Sequence, residues 1–104
     1  MTNQRAALLA LGDPTRLLIV EHLVDRPLAV VDLAKVLPVS RPAVSQHLRV
    51  LKDVGLVIDE RAGNRRVYRV DPDALARLRG QLDQFWEKAL AAYKSTVEQR
   101  DEEV

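Results

Sequence analysis

In the stretch VLPVSRPAVSQHLRVLKDVGLV, residues 36–57, only Pro38 and Val39 stand between two segments of helical periodicity. Leu33, Val36 and Leu37 form the apolar side before the break, and Val44, Leu48 and Leu51 form it afterwards. Pro38 stops the first segment, since its ring clashes with the preceding turn and it has no N–H to donate. Ser40 is placed to cap the second. With Pro42 at the second helical position, the Ser40 hydroxyl must accept from the N–H of Ala43. Gly55 then ends that helix as a left-handed terminator. Two helices, each apolar on one face and joined by so tight a turn, spell a helix-turn-helix.

The rest of the chain frames this unit. The patterning predicts α1 over residues 3–11, ended by Gly12, and α2 from Pro14 until Pro27 stops it. Asp13 is the expected cap of α2, and Leu17, Leu18, Val20, Leu23 and Val24 its apolar stripe. The two helices of the tight turn become α3, about 30–37, and α4, from Arg41 to about Val54. Ala29 occupies the cap position of α3, a weak choice, while Asp32 stands favourably in its first turn. After Gly55 the period changes. LVIDERAGNRRVYRV reads as a hairpin, β1 and β2 between residues 56 and 70, turning at Gly63-Asn64. A long α5 follows over about 72–98, with Asp71 as its cap, Gly80 as its soft spot and a fraying tail RDEEV. At 104 residues this is one domain by size, with a modest core.

Composition narrows the chemistry. The chain is 47% hydrophobic and 30% charged, as folded soluble domains are, and with four aromatic residues its core must be aliphatic. It has no cysteine, which excludes disulfides, thiolate metal sites and a cysteine nucleophile. The apolar run Ala6–Leu11, preceded by a lone Arg5, is too short for a signal peptide or a membrane span, so a cytoplasmic location is expected. The net charge of +1 conceals an uneven layout. Residues 41–70 hold seven basic and three acidic side chains, whereas residues 71–104 hold five basic and eight acidic. A basic middle and an acidic end point to a polyanion-facing segment and a water-facing helix.

The α4 wheel, at about 100° per residue, sets Val44, Leu48 and Leu51 toward the core. Pro42, Ser45, Gln46, Arg49 and Asp53 fall on the opposite half, flanked by Arg41 and Lys52. Short hydroxyls, an amide and a guanidinium are the groups that read a major groove: arginine bidentate to guanine, glutamine to adenine, serine to either. A solvated charged face is the bland alternative. The preceding tight turn, the basic face and the arginines of the following hairpin together favour double-stranded DNA.

LGDPTRLLIVEHL, VDLAKVLPVSRPAVSQHLRVLKDVGLV and RAGNRRVYRVDP resemble the ArsR family of small dimeric bacterial repressors over about residues 5–75, most specifically in SRPAVSQHLRVLKDVGLV. The resemblance implies a mainly α winged helix-turn-helix, α1-α2-α3-α4-β1-β2-α5, with α4 in the major groove and the hairpin as the wing. It implies base contacts by Ser45, Gln46 and Arg49. Ser40, Arg41 and Lys52 would then lie near phosphates, and Arg61, Arg65 and Arg66 would reach the flanking backbone or minor groove. Phosphate contacts position the protein without specifying sequence.

The chain departs from the family's founding metal sensors. Where they carry a CVC element at the start of α3, this sequence has LAVVDL, with Ala29 and Val31 in the thiolate places. Its α5 has carboxylates but no histidine, so neither known metal site is expected, and no cofactor is. His22 and His47 lie on different helices, and packing accounts for both better than ligation. Ser45 and His47 point about 160° apart on α4, which disfavours a catalytic pair. With no phosphate loop and no paired-histidine motif, the chain reads as a non-enzyme.

Along α5, Leu75, Leu78, Leu82, Phe85 and Ala89 recur at helical spacing, widened by Trp86, Leu90, Tyr93 and Val97. A domain this small cannot cover so long a stripe by itself. A homodimer interface through α5 and α1 is therefore expected, with Ala7, Leu8 and Leu11 beside Leu82, Phe85, Trp86 and Leu90. Two other functions remain open at this level. A protein-interaction winged helix without DNA binding would favour a neutral or acidic α4 face, and a metal-responsive repressor would have to use His22, His47 and carboxylates. No residue set marks a small-molecule effector pocket.

Overall fold

The computed structural model describes residues 4–103, ordered α1 (Gln4–Ala10), α2 (Pro14–Asp25), α3 (Val30–Val36), α4 (Arg41–Asp53), β1 (Val57–Ala62), β2 (Arg65–Val70) and α5 (Pro72–Glu103). Asn3, expected in α1, and Val104 of the tail lie outside the described residues. The helix ends are held as their residue types demand. Asp13 accepts from the N–H groups of Thr15 at 2.9 Å and Arg16 at 3.0 Å. Arg16 in turn donates through Nε to the Ala10 carbonyl at 2.8 Å, covering the end of α1. Ala29 has no side-chain oxygen to cap α3, and Asp32 compensates by accepting its N–H at 3.4 Å. Ser40 accepts from Ala43 at 3.3 Å, and Asp71 from Asp73 at 3.0 Å.

Seven side chains form the fully buried centre: Ile19, Leu33, Val44, Leu48, Leu51, Leu56 and Val57. Among the described residues no buried side chain is polar or charged. The apolar stripe of α4 is the expected one. That of α2 is not: Ile19, Val20 and Leu23 are buried, while Leu17, Leu18 and Val24 are exposed. Four successive apolar residues, Leu17 to Val20, leave the phase of the helix undetermined by periodicity, and packing against α4 and β2 decides it. In α3 the expected Val36 is 56% exposed, whereas Leu33 and Leu37 are buried. Leu37 leaves the helix in an extended conformation, so the last turn does not bring Val36 inward.

β1 and β2 pair antiparallel from Val57↔Val70 to Ala62↔Arg65. Gly63 takes a φ of 65° at the first turn position and Asn64 has no positive φ, the demand of a two-residue II′ turn. The hairpin is rooted at its inner end. Leu28 exchanges two backbone hydrogen bonds with Tyr68, at 3.0 and 2.8 Å, and the Asp71 N–H donates to the Leu56 carbonyl at 2.9 Å. Gly55, with φ of 83°, makes the turn from α4 into this root. α5 packs on α1 and then runs on to Glu103, helical through RDEE where fraying is expected, since no glycine or proline follows Gly80. The molecule is drawn out by it to 68 × 28 × 21 Å. The architecture is mainly helical with one small hairpin, a winged helix-turn-helix.

Candidate nucleic-acid interface

α4 is the centre of the site. Its Val44–Leu48–Leu51 side is wholly buried, which fixes the helix rotation and leaves Arg41, Ser45, Gln46 and Arg49 exposed on the other side. Among the described residues none of these four side chains makes a hydrogen bond or ion pair. They are available to a partner without first breaking anything. Ser40 faces water at the N-terminus of the same helix, its hydroxyl engaged as the cap. His47 is half-buried on the flank, near enough to Asp13 to add a weak cationic pull on that carboxyl. His22 is also half-buried, and no three histidine, aspartate or glutamate side chains among the described residues are grouped to hold a metal ion.

The other cations divide by what holds them. Lys52, in the last turn of α4, meets the Asp59 Oδ1 of β1 at 2.8 Å, and Arg66 of β2 pairs with the second oxygen of the same carboxylate. Hydrogen bonds from Lys52 and then Arg66 outweigh burial and hold the Asp59 carboxyl below its usual range. Arg65, beside the turn, reaches back to Asp32 of α3 at 2.5 Å. Burial pushes Asp32 up, yet the Arg65 hydrogen bond and the Ala29 N–H bring it below the ordinary value. Arg69 lies 3.4 Å from Glu60. Of the three wing arginines expected to reach outward, only Arg61 has no partner among the described residues. The carboxylates Asp32 and Asp59 are part of this surface and were not foreseen as such. Their signal was the presence of acids inside or beside a segment of net positive charge.

Away from this surface, α5 exposes Phe85 at 62%, Trp86 at 58% and Leu90 at 61%, with Tyr93 and Val97 beyond them. Phe85 and Trp86 meet edge to face, their ring centroids 6.1 Å apart. Leu82 is half-buried, Leu8 exposed, and Leu11 packs partly on the core. Ala7, expected beside them, is already buried within its own fold. Among the described residues no helix is long and apolar enough to cross a membrane.

The same arrangement recurs in known proteins. The family model described as bacterial regulatory protein, arsR family, matches residues 13–59, from the cap of α2 to the root of the wing. The HTH-type transcriptional regulator Rv2034 of Mycobacterium tuberculosis is 58% identical over 89 residues, covering 86% of this chain and 83% of that one. The HTH-type transcriptional repressor SmtB of the same species is 41% identical over 69 residues, 66% of this chain, which spans only 51% of that protein's length. In structure, the homodimeric winged helix-turn-helix DNA-binding domain Mb0332 of Mycobacterium bovis matches with a TM-score of 0.65 and 29% identity, over 83% of this chain and 80% of the other. Fold and relatives alike are those of transcriptional regulators rather than enzymes. With its buried α4 stripe, its open polar face and its rooted wing, the chain belongs to the ArsR family of DNA-binding winged helix-turn-helix transcriptional regulators.

Proposed function

We propose that this chain is a dimeric repressor that binds an inverted-repeat operator, reading bases with Ser45, Gln46 and Arg49 of α4. The observation that carries the reading is that these three side chains are exposed, and unpaired among the described residues, on a helix whose rotation the buried stripe fixes. Arg41 flanks them toward the phosphates, with Ser40 beside it and Lys52 at the far end. The wing contributes Arg61 directly, and Arg65 and Arg66 where phosphates compete with their carboxylates. Two copies join through the apolar side of α5, Leu82, Phe85, Trp86 and Leu90, with Leu8 and Leu11 of α1. A dimer of this kind presents two recognition helices to half-sites about one helical turn, or a multiple of it, apart. The homodimer described for Mb0332 supports the pairing, and the repressor SmtB supports the direction of control.

Selection of bound duplexes from a random pool tests this, followed by affinity measurements on the selected duplex and a scrambled one across a salt series. An inverted repeat that binds more tightly than its scramble, with affinity falling as salt rises, is expected. Equal affinity for both duplexes, or none, would overturn the proposal.

A further inference from the structure

A carboxylate on a surface that faces a polyanion opposes binding, so Asp59 calls for a reason. Its side chain is only 9% exposed, and it holds two cations. The two come from different elements. Lys52 belongs to the last turn of α4, one turn after Arg49, and Arg66 to the returning strand of the wing. Each takes its own oxygen, so a single carboxylate bridges helix and hairpin. The register places Asp59 opposite Tyr68, at the level of the Leu28 bridge, while Arg66 sits opposite Arg61, one pleat farther out. Lys52 therefore meets the wing at its hydrogen-bonded root, and Arg66 carries the link one pleat beyond it. Both cations keep more than half of their side chains exposed, so they remain open to phosphate while held. Arg61, opposite Arg66 on the same face, has no partner of its own among the described residues and is aimed by the strand that carries it.

We infer that Asp59 is a positioning residue: by clamping Lys52 to Arg66 it fixes the wing against the recognition helix, so that base contacts and flanking contacts are made in one register. The inference rests on the DNA-binding reading above and adds to it a specificity determinant that touches no DNA. Two simpler roles give other outcomes. If Asp59 only repels DNA, its removal strengthens binding to every duplex equally. If it only stabilises the fold, its removal weakens binding to every duplex equally.

The test compares wild type, Asp59→Asn and Asp59→Glu, confirmed as folded by circular dichroism, on the selected inverted repeat and its scramble. Asp59→Asn should lower the ratio of operator to scrambled affinity by about threefold to tenfold, the coupling expected within one ion-pair network. Its affinity for the scramble should be unchanged or higher, and Asp59→Glu, which keeps the carboxylate, should recover most of the ratio. A ratio unchanged in Asp59→Asn would overturn the inference. Should Asp59→Asn fail to fold, Lys52→Met, Arg66→Met and the double variant replace it. Loss of the ratio in the double variant smaller than the product of the single losses supports the clamp, and a simple product overturns it. A wild type that does not distinguish the two duplexes would instead overturn the DNA-reading proposal, and this inference with it.

Discussion

Arg49 and Arg61 carry the same guanidinium and are both free among the described residues, yet they stand on unlike supports. Arg49 projects from a helix locked in rotation by Val44, Leu48 and Leu51, none of which has any exposed surface. Arg61 lies near the end of a two-stranded ribbon, one pair from the Gly63-Asn64 turn. A fixed guanidinium can select a base; one at a ribbon's end can only find charge. Arg49→Ala should therefore reduce operator discrimination by about 1–3 kcal/mol. Arg61→Ala should weaken operator and scramble alike and lower the salt slope by about one. Titration of both variants against both duplexes separates the two roles, and matched behaviour would reject the division. Asp13 yields an acid-side prediction. Hydrogen bonds from Arg16 first, and then Thr15, hold its carboxyl below the ordinary 3.8. A depressed value means that its stabilisation is present above the ordinary value and lost as pH falls through the folded one. Unfolding measured by denaturant below about pH 4 should show a flatter acid decline in Asp13→Asn, since asparagine still caps but does not titrate. The cations of the surface were legible from their residue types alone. Which ones are already spoken for was not, because Asp32 and Arg65 are separated by 33 positions and meet only in the folded chain.

At the scale of elements, legibility followed how strictly a segment's chemistry admits one answer. α4 has a cap, a terminator and a single apolar phase, and all three hold in the structure. The hairpin turn likewise follows from Gly63, which alone takes a positive φ there. α2 has good ends but four apolar residues in a row, so its ends were readable and its inward face was not. Ile19, the fully buried residue of that run, carries no local mark that distinguishes it from Leu17 or Leu18. The tail RDEEV is expected to fray, yet with no glycine or proline after Gly80 the helix continues to Glu103. Gly80 remains the weak link of that helix. A Cβ there meets nothing within 4 Å, and its φ is not positive, so Gly80→Ala should stabilise by about 0.5–1 kcal/mol in chemical denaturation. Destabilisation would mean that a neighbour fills the space in the assembled protein.

For the molecule as a whole, the long axis is set by a helix whose outer half packs on nothing among the described residues. Phe85, Trp86 and Leu90 are each more than half exposed there, a level of apolar exposure that an isolated domain has no reason to keep. Under the dimer proposal, Trp86→Ala should weaken association by about 2 kcal/mol or more, measured by sedimentation across a concentration series. Operator binding should fall with it, because one half-site alone gains nothing from the other. A variant that remains as dimeric as wild type would move the interface elsewhere. The pairing of Arg65 with Asp32 has its own consequence for how the whole molecule responds to ions. Under the DNA-binding proposal, a phosphate that took Arg65 would shed a condensed cation, while the abandoned Asp32 would gather some cation density from solution. The second exchange would offset part of the first. The ionic-strength dependence of binding would then register Arg65 as less than one full contact, because its phosphate replaces an ion pair already made.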